Sequence, residues 1–175
     1  MIKKDTSKQF KISYLFKIES GDFHAKSELD PGHVPLISCG EENNGLVGYY
    51  DIPEEKTHHR VLTVSFNGFP LTTKFHPYRF GAKDDVAVLL PLEPMSDSVL
   101  IYIAAILNGM RWRYSYGRKC FKEKLQDVDL LLPSKTEKGR AVIDSSVPEL
   151  LLKSAFDRVT KITQNSIETL FEARS

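Results

Sequence analysis

The alternation of apolar and polar residues is clearest in residues 61–75, which read VLTVSFNGFPLTTKF. Two runs rich in β-branched and aromatic residues flank Asn67-Gly68, the dipeptide that best tolerates the positive φ angles of a tight hairpin turn. A two-residue turn would pair Val64 with Leu71 and bring the large apolar side chains onto one face. The other face would carry small and mostly polar side chains. The pattern therefore predicts an antiparallel hairpin with one buried and one solvent-exposed face.

Short apolar runs on either side of this hairpin alternate with turn residues and predict further strands. These strands cover residues 10–19, 34–38, 46–50, 86–90 and 128–132. Ser96 is placed to cap a helix that begins at Asp97 and stops at Gly109, and its apolar centre indicates burial on most sides. The predicted fold class is α+β, with a curved, mostly antiparallel sheet packed on the 97–109 helix.

The composition changes after residue 133, where a polar stretch begins. Ser146 and Glu149 have the spacing of a capping box and start a last helix. Its apolar stripe at three-four spacing consists of Leu152, Ala155, Val159, Ile162, Ser166 and Thr169 or Leu170. We therefore predict a domain over residues 1–133, a linker over 134–146 and an amphipathic helix over 147–175. Such a helix needs a partner surface, either on its own domain or on another chain.

Charge is distributed unevenly, although the net charge is only +1. Residues 19–55 are acidic, whereas residues 110–124 hold six basic residues against one acidic residue. A dense cationic patch can steer a polyanion even on a nearly neutral protein, but such runs also occur on faces that are simply solvated. The two cysteines form no CxxC pair, and no apolar leader or membrane-length run is present in the sequence. We expect a cytoplasmic protein with reduced thiols.

The sequence has few features of an enzyme. The sequence contains no Gly-rich phosphate loop, no G-x-S-x-G elbow and no H-E-x-x-H pair. The five histidines have no ligand-like spacing. A metal-dependent nuclease could use Glu54 and Lys56 with Asp30 upstream, but the turn-like surroundings suit a rigid metal site poorly. We predict no catalytic residue, no metal and no cofactor, and keep a phage-defence nuclease as the alternative.

Three stretches carry a family resemblance: VPLISCGEENNGLVGYYD (34–51), VLTVSFNGFPLTTKFHPYRFGAKDDVAVLLP (61–91) and YSYGRKCFKEKLQDVDLLLP (114–133). In this order and spacing they resemble the target recognition domain of type I restriction-modification specificity subunits and of fused type II restriction-methyltransferases. The resemblance implies sequence-specific binding of double-stranded DNA. It also implies an adenine methyltransferase subunit as partner, a restriction subunit in many such systems, and a C-terminal spacer helix that packs against a second helix.

One feature departs from the typical subunit, which has two recognition domains and two spacers where this sequence has one of each. The chain is thus expected to be a half subunit that forms a homodimer through its C-terminal helix, or a recognition domain separated from a larger enzyme. A non-catalytic decoy or interaction module of the same fold is a further alternative. No membrane partner is expected.

Groove reading needs polar side chains on rigid turns and cations for the phosphates. The predicted DNA-binding residues are Asn43, Asn44, Asn67, Thr72, Lys74, His76, Arg79, Arg113, Tyr116, Arg118 and Lys119. Motifs shared among domains that read different sites cannot carry specificity. The Asn-Asn-Gly loop, the Asn-Gly turn and the Tyr-Gly-Arg-Lys segment are thus expected to be scaffold or phosphate contacts. The base-reading residues are expected among Phe69, Thr72, Thr73, His76, Tyr78 and Arg79.

Overall fold

The computed structural model describes residues 7–25, 27, 29–115 and 117–172, with side chains up to residue 165. The strands in this part of the chain are β1 (Ser7–Lys11), β2 (Phe16–Ser20), β3 (Pro31–Ile37), β4 (Leu46–Tyr50), β5 (Val61–Ser65), β6 (Thr73–His76), β7 (Gly81–Ala82), β8 (Val86–Pro91), β9 (Asp129–Glu137) and β10 (Arg140–Ile143). The α-helices are α1 (Ile12–Leu15), α2 (Asp97–Gly109), α3 (Lys122–Gln126) and α4 (Ser146–Glu172). The predicted α+β class is confirmed.

The strands form three small sheets, in the orders β1-β9-β10, β2-β8-β5-β6 and β4-β3-β7. Every pairing is antiparallel except that of β3 with β7. The single curved sheet predicted from the sequence is therefore wrong. The short helix α1 turns the chain inside the predicted 10–19 strand, so that β1 pairs with β9 whereas β2 pairs with β8.

Helix α2 has the predicted bounds and packs on one face of the four-stranded sheet. Ser96 caps it, because its Oγ accepts a hydrogen bond from the backbone N–H of Val99 at 3.4 Å. The buried side chains of α2 are Val99, Leu100, Ile103, Ala104 and Leu107. They form one cluster with Leu62 and Val64 of the sheet. Full burial of a Leu or Ile side chain contributes about 1.5–3 kcal/mol, so this cluster is the main hydrophobic core.

The opposite face of the same sheet is covered as well. Val61, Val86 and Val88 pack against Ile37 and Ala82 of the β4-β3-β7 sheet. All residues of β5 are buried as a result. The predicted solvent-exposed face of the hairpin is therefore wrong, because a second small sheet and its loops cover the small polar side chains.

The predicted two-residue turn at Asn67-Gly68 is also wrong. Val64 pairs with Thr73, two residues further along than predicted, and a longer loop connects β5 to β6. Leu71 lies in this loop with φ +66°, and its side chain is fully buried in the α2 core. Burial of a leucine offsets the roughly 1–2 kcal/mol cost of a left-handed backbone at a non-glycine residue. A shift of two residues keeps each side chain on its predicted face, so the assignment of faces survives.

The segment predicted as a linker is partly a hairpin. Strand β9 continues past Pro133, where the prediction ended it, and reaches Glu137. It returns as β10 through Lys138 and Gly139, both of which have positive φ. Two-residue turns of this conformation match the twist of the strands that they join. The division into domains stays a prediction. Among the described residues, no helix is both long and apolar enough to cross a membrane.

Candidate nucleic-acid interface

The buried polar side chains of the β5-β6 hairpin make hydrogen bonds within the chain itself. Lys74 is 8 % exposed, and its Nζ donates to the backbone oxygens of Gly40 and, at 3.5 Å, Ser38. Burial lowers the pKa of Lys74, while the neighbouring Cys39 and Asp85 act in the opposite direction. This lysine thus holds the loop before β4 onto the sheet.

A second internal network surrounds His76, whose side chain is fully buried. His76 Nε2 lies 2.8 Å from Thr63 Oγ1, and His76 Nδ1 lies 3.2 Å from both Asn44 Nδ2 and Tyr78 Oη. Asn44 Nδ2 has two hydrogens and also lies 3.2 Å from Tyr78 Oη, so the tautomer of His76 depends on which neighbour donates to Nδ1. The Asn44 amide also donates to the Phe75 backbone oxygen at 3.1 Å.

The buried His76 ring is held in its neutral form. Burial, and secondarily the charge of Lys74, lowers the pKa of His76 to about 3. The hydrogen bonds to His76 in turn position Asn44 and Tyr78. Asn44 has a left-handed backbone with φ 56°, and Tyr78 is 38 % exposed. Asn43 and Gly45, on either side of Asn44, also have positive φ.

The hairpin loop and the basic segment meet on one surface. Lys119 Nζ donates to Asn67 Oδ1 at 2.6 Å. The guanidinium group of Arg111 lies 5.4 Å from the centre of the Phe69 ring and pairs with Glu41. We call this region the basic-aromatic surface and define it by residues 67–69, 111–115 and 117–119. It joins two segments that the sequence singled out separately.

The remaining predicted DNA-binding residues fall into different environments. Asn43, Arg113 and Arg118 are exposed, whereas Thr72 and Thr73 are buried. Thr72 Oγ1 donates to the backbone oxygen of Phe69 at 2.7 Å.

Arg79 and Arg118 are both exposed predicted DNA-binding residues. Arg79 is exposed and pairs with Glu54 at 2.8 Å. The alternative to a phosphate contact for Arg118 is a structural ion pair with a carboxylate such as Asp127 or Asp129, and Asp127 pairs with Lys11 at 2.9 Å. Tyr116, also a predicted DNA-binding residue, lies outside the described residues.

Glu54 and Lys56, the residues of the nuclease alternative, each contact another side chain in the structure. Glu54 is bound by Arg79 at the exposed surface, and Lys56 lies 5.7 Å from the centre of the Phe23 ring. Among the described residues, no three or more His, Cys, Asp or Glu side chains are grouped so that they could hold a metal ion.

Trp112 is a functional candidate that is not among the residues predicted from the sequence. Its side chain is 79 % exposed, in the 3-10 turn Arg111–Arg113 that follows α2. Together with Phe69 it lines an open cleft of about 540 Å³. A larger groove of about 800 Å³ beside β10 and α4 is lined by none of the predicted DNA-binding residues that the structure describes. The available signal was the position of this aromatic residue between two arginines at a helix end.

The sequence comparison and the structure comparison both match this chain to proteins of restriction-modification systems. No protein-family model matches the chain. The chain is 31% identical over 136 residues to the type II restriction enzyme BgcI specificity subunit S.BcgI of Heyndrickxia coagulans. This match covers 77% of the chain and 40% of that subunit. The chain thus spans less than half the length of this relative.

Solved structures of type I systems share the fold at low sequence identity. The S subunit from M. genitalium matches 76% of the chain and 36% of its own length, with TM-score 0.60 and 13% identity. A chain from a study of complex assembly and conformational transition in the type I R-M system matches 93% of the chain and 41% of its own length, with TM-score 0.65 and 16% identity. The HsdS subunit from Thermoanaerobacter tengcongensis matches 73% of the chain and 33% of its own length, with TM-score 0.53 and 15% identity. The predicted resemblance is therefore confirmed, and this chain has the fold of the specificity subunits of restriction-modification systems.

Proposed function

We propose that this chain is a DNA target-recognition unit of a restriction-modification system. It binds double-stranded DNA at a specific sequence and directs a separate adenine methyltransferase, and in systems that also cut DNA a nuclease, to that site. The recognition unit itself has no catalytic activity and needs no cofactor.

The observation that carries this proposal is the basic-aromatic surface on a fold shared with specificity subunits. Arg113, Arg118 and Lys119 provide cations for phosphates, and exposed polar and aromatic side chains lie beside them. Phosphate contacts set position, whereas contacts with base edges set specificity. A surface that offers both kinds of group is suited to sequence-specific binding.

The structure changes which of the predicted residues we assign to direct contacts. Lys74, His76, Thr72 and Thr73 are buried, and internal hydrogen bonds use their side chains, so we propose that they support the interface. The direct contacts are proposed for exposed or partly exposed residues. These are Asn43, Asn44, Asn67, Phe69, Tyr78, Arg79, Arg113, Arg118 and Lys119.

Selection from a randomised duplex library tests the proposal. The chain is combined with the methyltransferase subunit of its own system, and bound duplexes are sequenced after several rounds. We expect enrichment of one short sequence and methylation of an adenine within it. Uniform binding to all duplexes would contradict sequence-specific recognition, and no binding even with the methyltransferase present would favour the decoy alternative.

The absence of catalysis is tested separately. The isolated chain is incubated with duplex DNA, Mg²⁺ and a methyl donor, and the DNA is sequenced for breaks and methylated bases. We expect neither product. Turnover that disappears in Glu54→Ala would support the nuclease alternative instead.

We further propose that α4 joins two copies of the chain. In the single chain Val159 and Ile162 of the predicted stripe are 60% and 65% exposed, and Leu150 and Phe156 on the same helix are 69% and 63% exposed. Leu152 of the stripe is half-buried. Apolar residues at three-four spacing on one long helix are suited to pairing with a second helix. A half-site reader also gains specificity when two copies bind together. The side chains of Ser166, Thr169 and Leu170 lie outside the described residues.

Sedimentation of Val159→Glu/Ile162→Glu tests this pairing. We expect the wild type to be a dimer at micromolar concentration and the variant to be a folded monomer, because two buried charges would be costly at a helix interface. Lys153→Glu/Lys161→Glu is the matched control on the same helix and reverses the charge of residues that are already polar. A wild type that is monomeric at tens of micromolar would contradict the proposal.

A further inference from the structure

The cleft on the basic-aromatic surface has two exposed aromatic residues in its lining. Trp112 is 79 % exposed and Phe69 is 58 % exposed, and both line the cleft of about 540 Å³. This volume lies within the ~300–1,000 Å³ range of sites that bind small molecules. Large exposed aromatic rings cost hydrophobic free energy in the absence of a partner, so their presence around one cleft indicates a binding surface.

Cations accompany both aromatic residues. The guanidinium group of Arg111 lies 5.4 Å from the centre of the Phe69 ring, and that of Arg113 lies 5.3 Å from the Trp112 ring. Glu41 is the carboxylate that pairs with Arg111, while Arg113 and Arg118 are exposed and add positive charge to the same surface. Aromatic faces beside cations combine base stacking with attraction of the phosphate backbone, as in proteins that bind unpaired nucleotides.

The walls of the cleft are held in place by the fold. Asn108, at the end of α2, accepts a hydrogen bond from the Thr73 backbone N–H at 2.9 Å and donates to the Thr73 backbone oxygen at 2.8 Å. This pair of bonds fixes the end of α2, and hence the following turn with Trp112, against the hairpin strand. Lys119 and Asn67 connect the hairpin loop to the basic segment on the other side. The stacking surface is therefore preorganised, which lowers the entropic cost of binding.

We propose that this cleft binds one unstacked nucleobase of the bound DNA between Phe69 and Trp112. The inference rests on the proposed function and deepens it, because it adds a site for a base that has left the helical stack. Unstacking a base costs a few kcal/mol, and the cost is smallest where the base is already unpaired. The cleft would offset part of this cost and so favour DNA in which one base is displaced.

Trp112 is the only tryptophan of the chain and provides a direct optical probe. Two duplexes of equal length are compared by titration, one fully paired and one with a single unpaired adenine. We expect the duplex with the unpaired adenine to bind about tenfold more tightly and to quench the Trp112 fluorescence strongly, as expected for one additional stacked base. The paired duplex should quench it less.

Three variants separate stacking from other effects. In Phe69→Ala and in Trp112→Ala, the affinity ratio of the two duplexes should fall from about ten to near one, whereas Trp112→Phe should retain most of it. Tyr14→Ala removes an aromatic side chain that is 74 % exposed outside the cleft, and it should keep the wild-type ratio. Thermal melts verify that each variant is folded.

The outcomes distinguish the two proposals. Equal affinity of the wild type for both duplexes without quenching of Trp112 would overturn the nucleobase site and leave DNA recognition intact. A ratio that persists in both alanine variants would likewise overturn it. No binding to either duplex would contradict the proposed function and the nucleobase site together.

Discussion

The polar side of the β5-β6 hairpin and the basic-aromatic surface contain similar side-chain types in opposite environments. On the hairpin, Lys74 and His76 are buried and their polar atoms bond to the chain itself. On the basic-aromatic surface, Arg113 and Arg118 are exposed to solvent. Residue type thus indicates what a side chain can bind, whereas burial decides whether it binds its own protein or another molecule. Loss of a hairpin residue should therefore reduce stability, and loss of a surface residue should reduce DNA affinity.

The largest effect is expected for His76→Ala. Removal of this buried ring leaves a cavity and deprives Thr63 and Tyr78 of their partner, which should lower the free energy of unfolding by about 2–4 kcal/mol. Urea unfolding measures the change, with the exposed His59→Ala as matched control. A His76→Ala protein with wild-type stability and reduced affinity for DNA would reverse the assignment of this residue.

The next effect is a loss of stability at mildly acidic pH. The pKa of His76 is about 3 in the folded chain, against roughly 6.5 in the unfolded chain. The unfolded state therefore binds a proton first, so the stability that the neutral ring contributes is fully present above pH 6.5 and falls as the pH is lowered toward 3. Between pH 6.5 and 5 this single group should reduce the free energy of unfolding by about 1–2 kcal/mol.

Urea unfolding at several pH values isolates this contribution when the wild type is compared with His76→Gln. Other titrating groups, including His58, whose pKa is also lowered by burial, are present in both proteins. The difference between the two curves should shrink as the pH is lowered below 6.5. Parallel curves would show that the pKa of His76 is the same in the folded and unfolded states, and would contradict the lowered pKa of the buried ring.

The smallest effect on stability, and the clearest on binding, is expected for Arg113→Ala and Arg118→Ala. Both side chains are exposed, so each change should alter the free energy of unfolding by less than about 0.5 kcal/mol. Each lost phosphate contact should weaken binding to all sequences alike and lower the salt slope by about 1.

Binding of these variants at two salt concentrations provides the measurement. Arg140→Ala, an exposed arginine on β10, is the matched control. If Arg118→Ala melts early and its residual binding keeps the wild-type salt slope, Arg118 has a structural role instead.

Local signals explain what the sequence predicted well. Helix α2 has a serine cap, an apolar centre and a glycine end, and strand β4 lies between a left-handed loop and a proline-containing segment. Each of these features is decided by residues close together in the chain. The family resemblance likewise depends on the order of short segments, and it predicted the fold that the structural comparisons confirm.

Long-range packing explains what the sequence could not predict. The hairpin turn moved by two residues because the distant α2 core accepts Leu71, and its polar face is buried because residues near 38–45 fold over it. Strand β9 continues past Pro133 because β10 returns along it. Burial of His76 and exposure of Trp112 also depend on which segments meet in three dimensions, so neither could be inferred from residue type.

Lysine footprinting tests the division between support and contact most directly. The free chain and its complex with duplex DNA are acylated briefly, and the reactivity of each lysine is measured by mass spectrometry. Half-buried Lys119 of the basic-aromatic surface should react in the free chain and lose several-fold reactivity with DNA, while exposed Lys135 serves as the control that does not change. Buried Lys74 should react slowly in both states. Protection of Lys74 by DNA, with Lys119 unaffected, would contradict the assignment of the basic-aromatic surface as the contact surface.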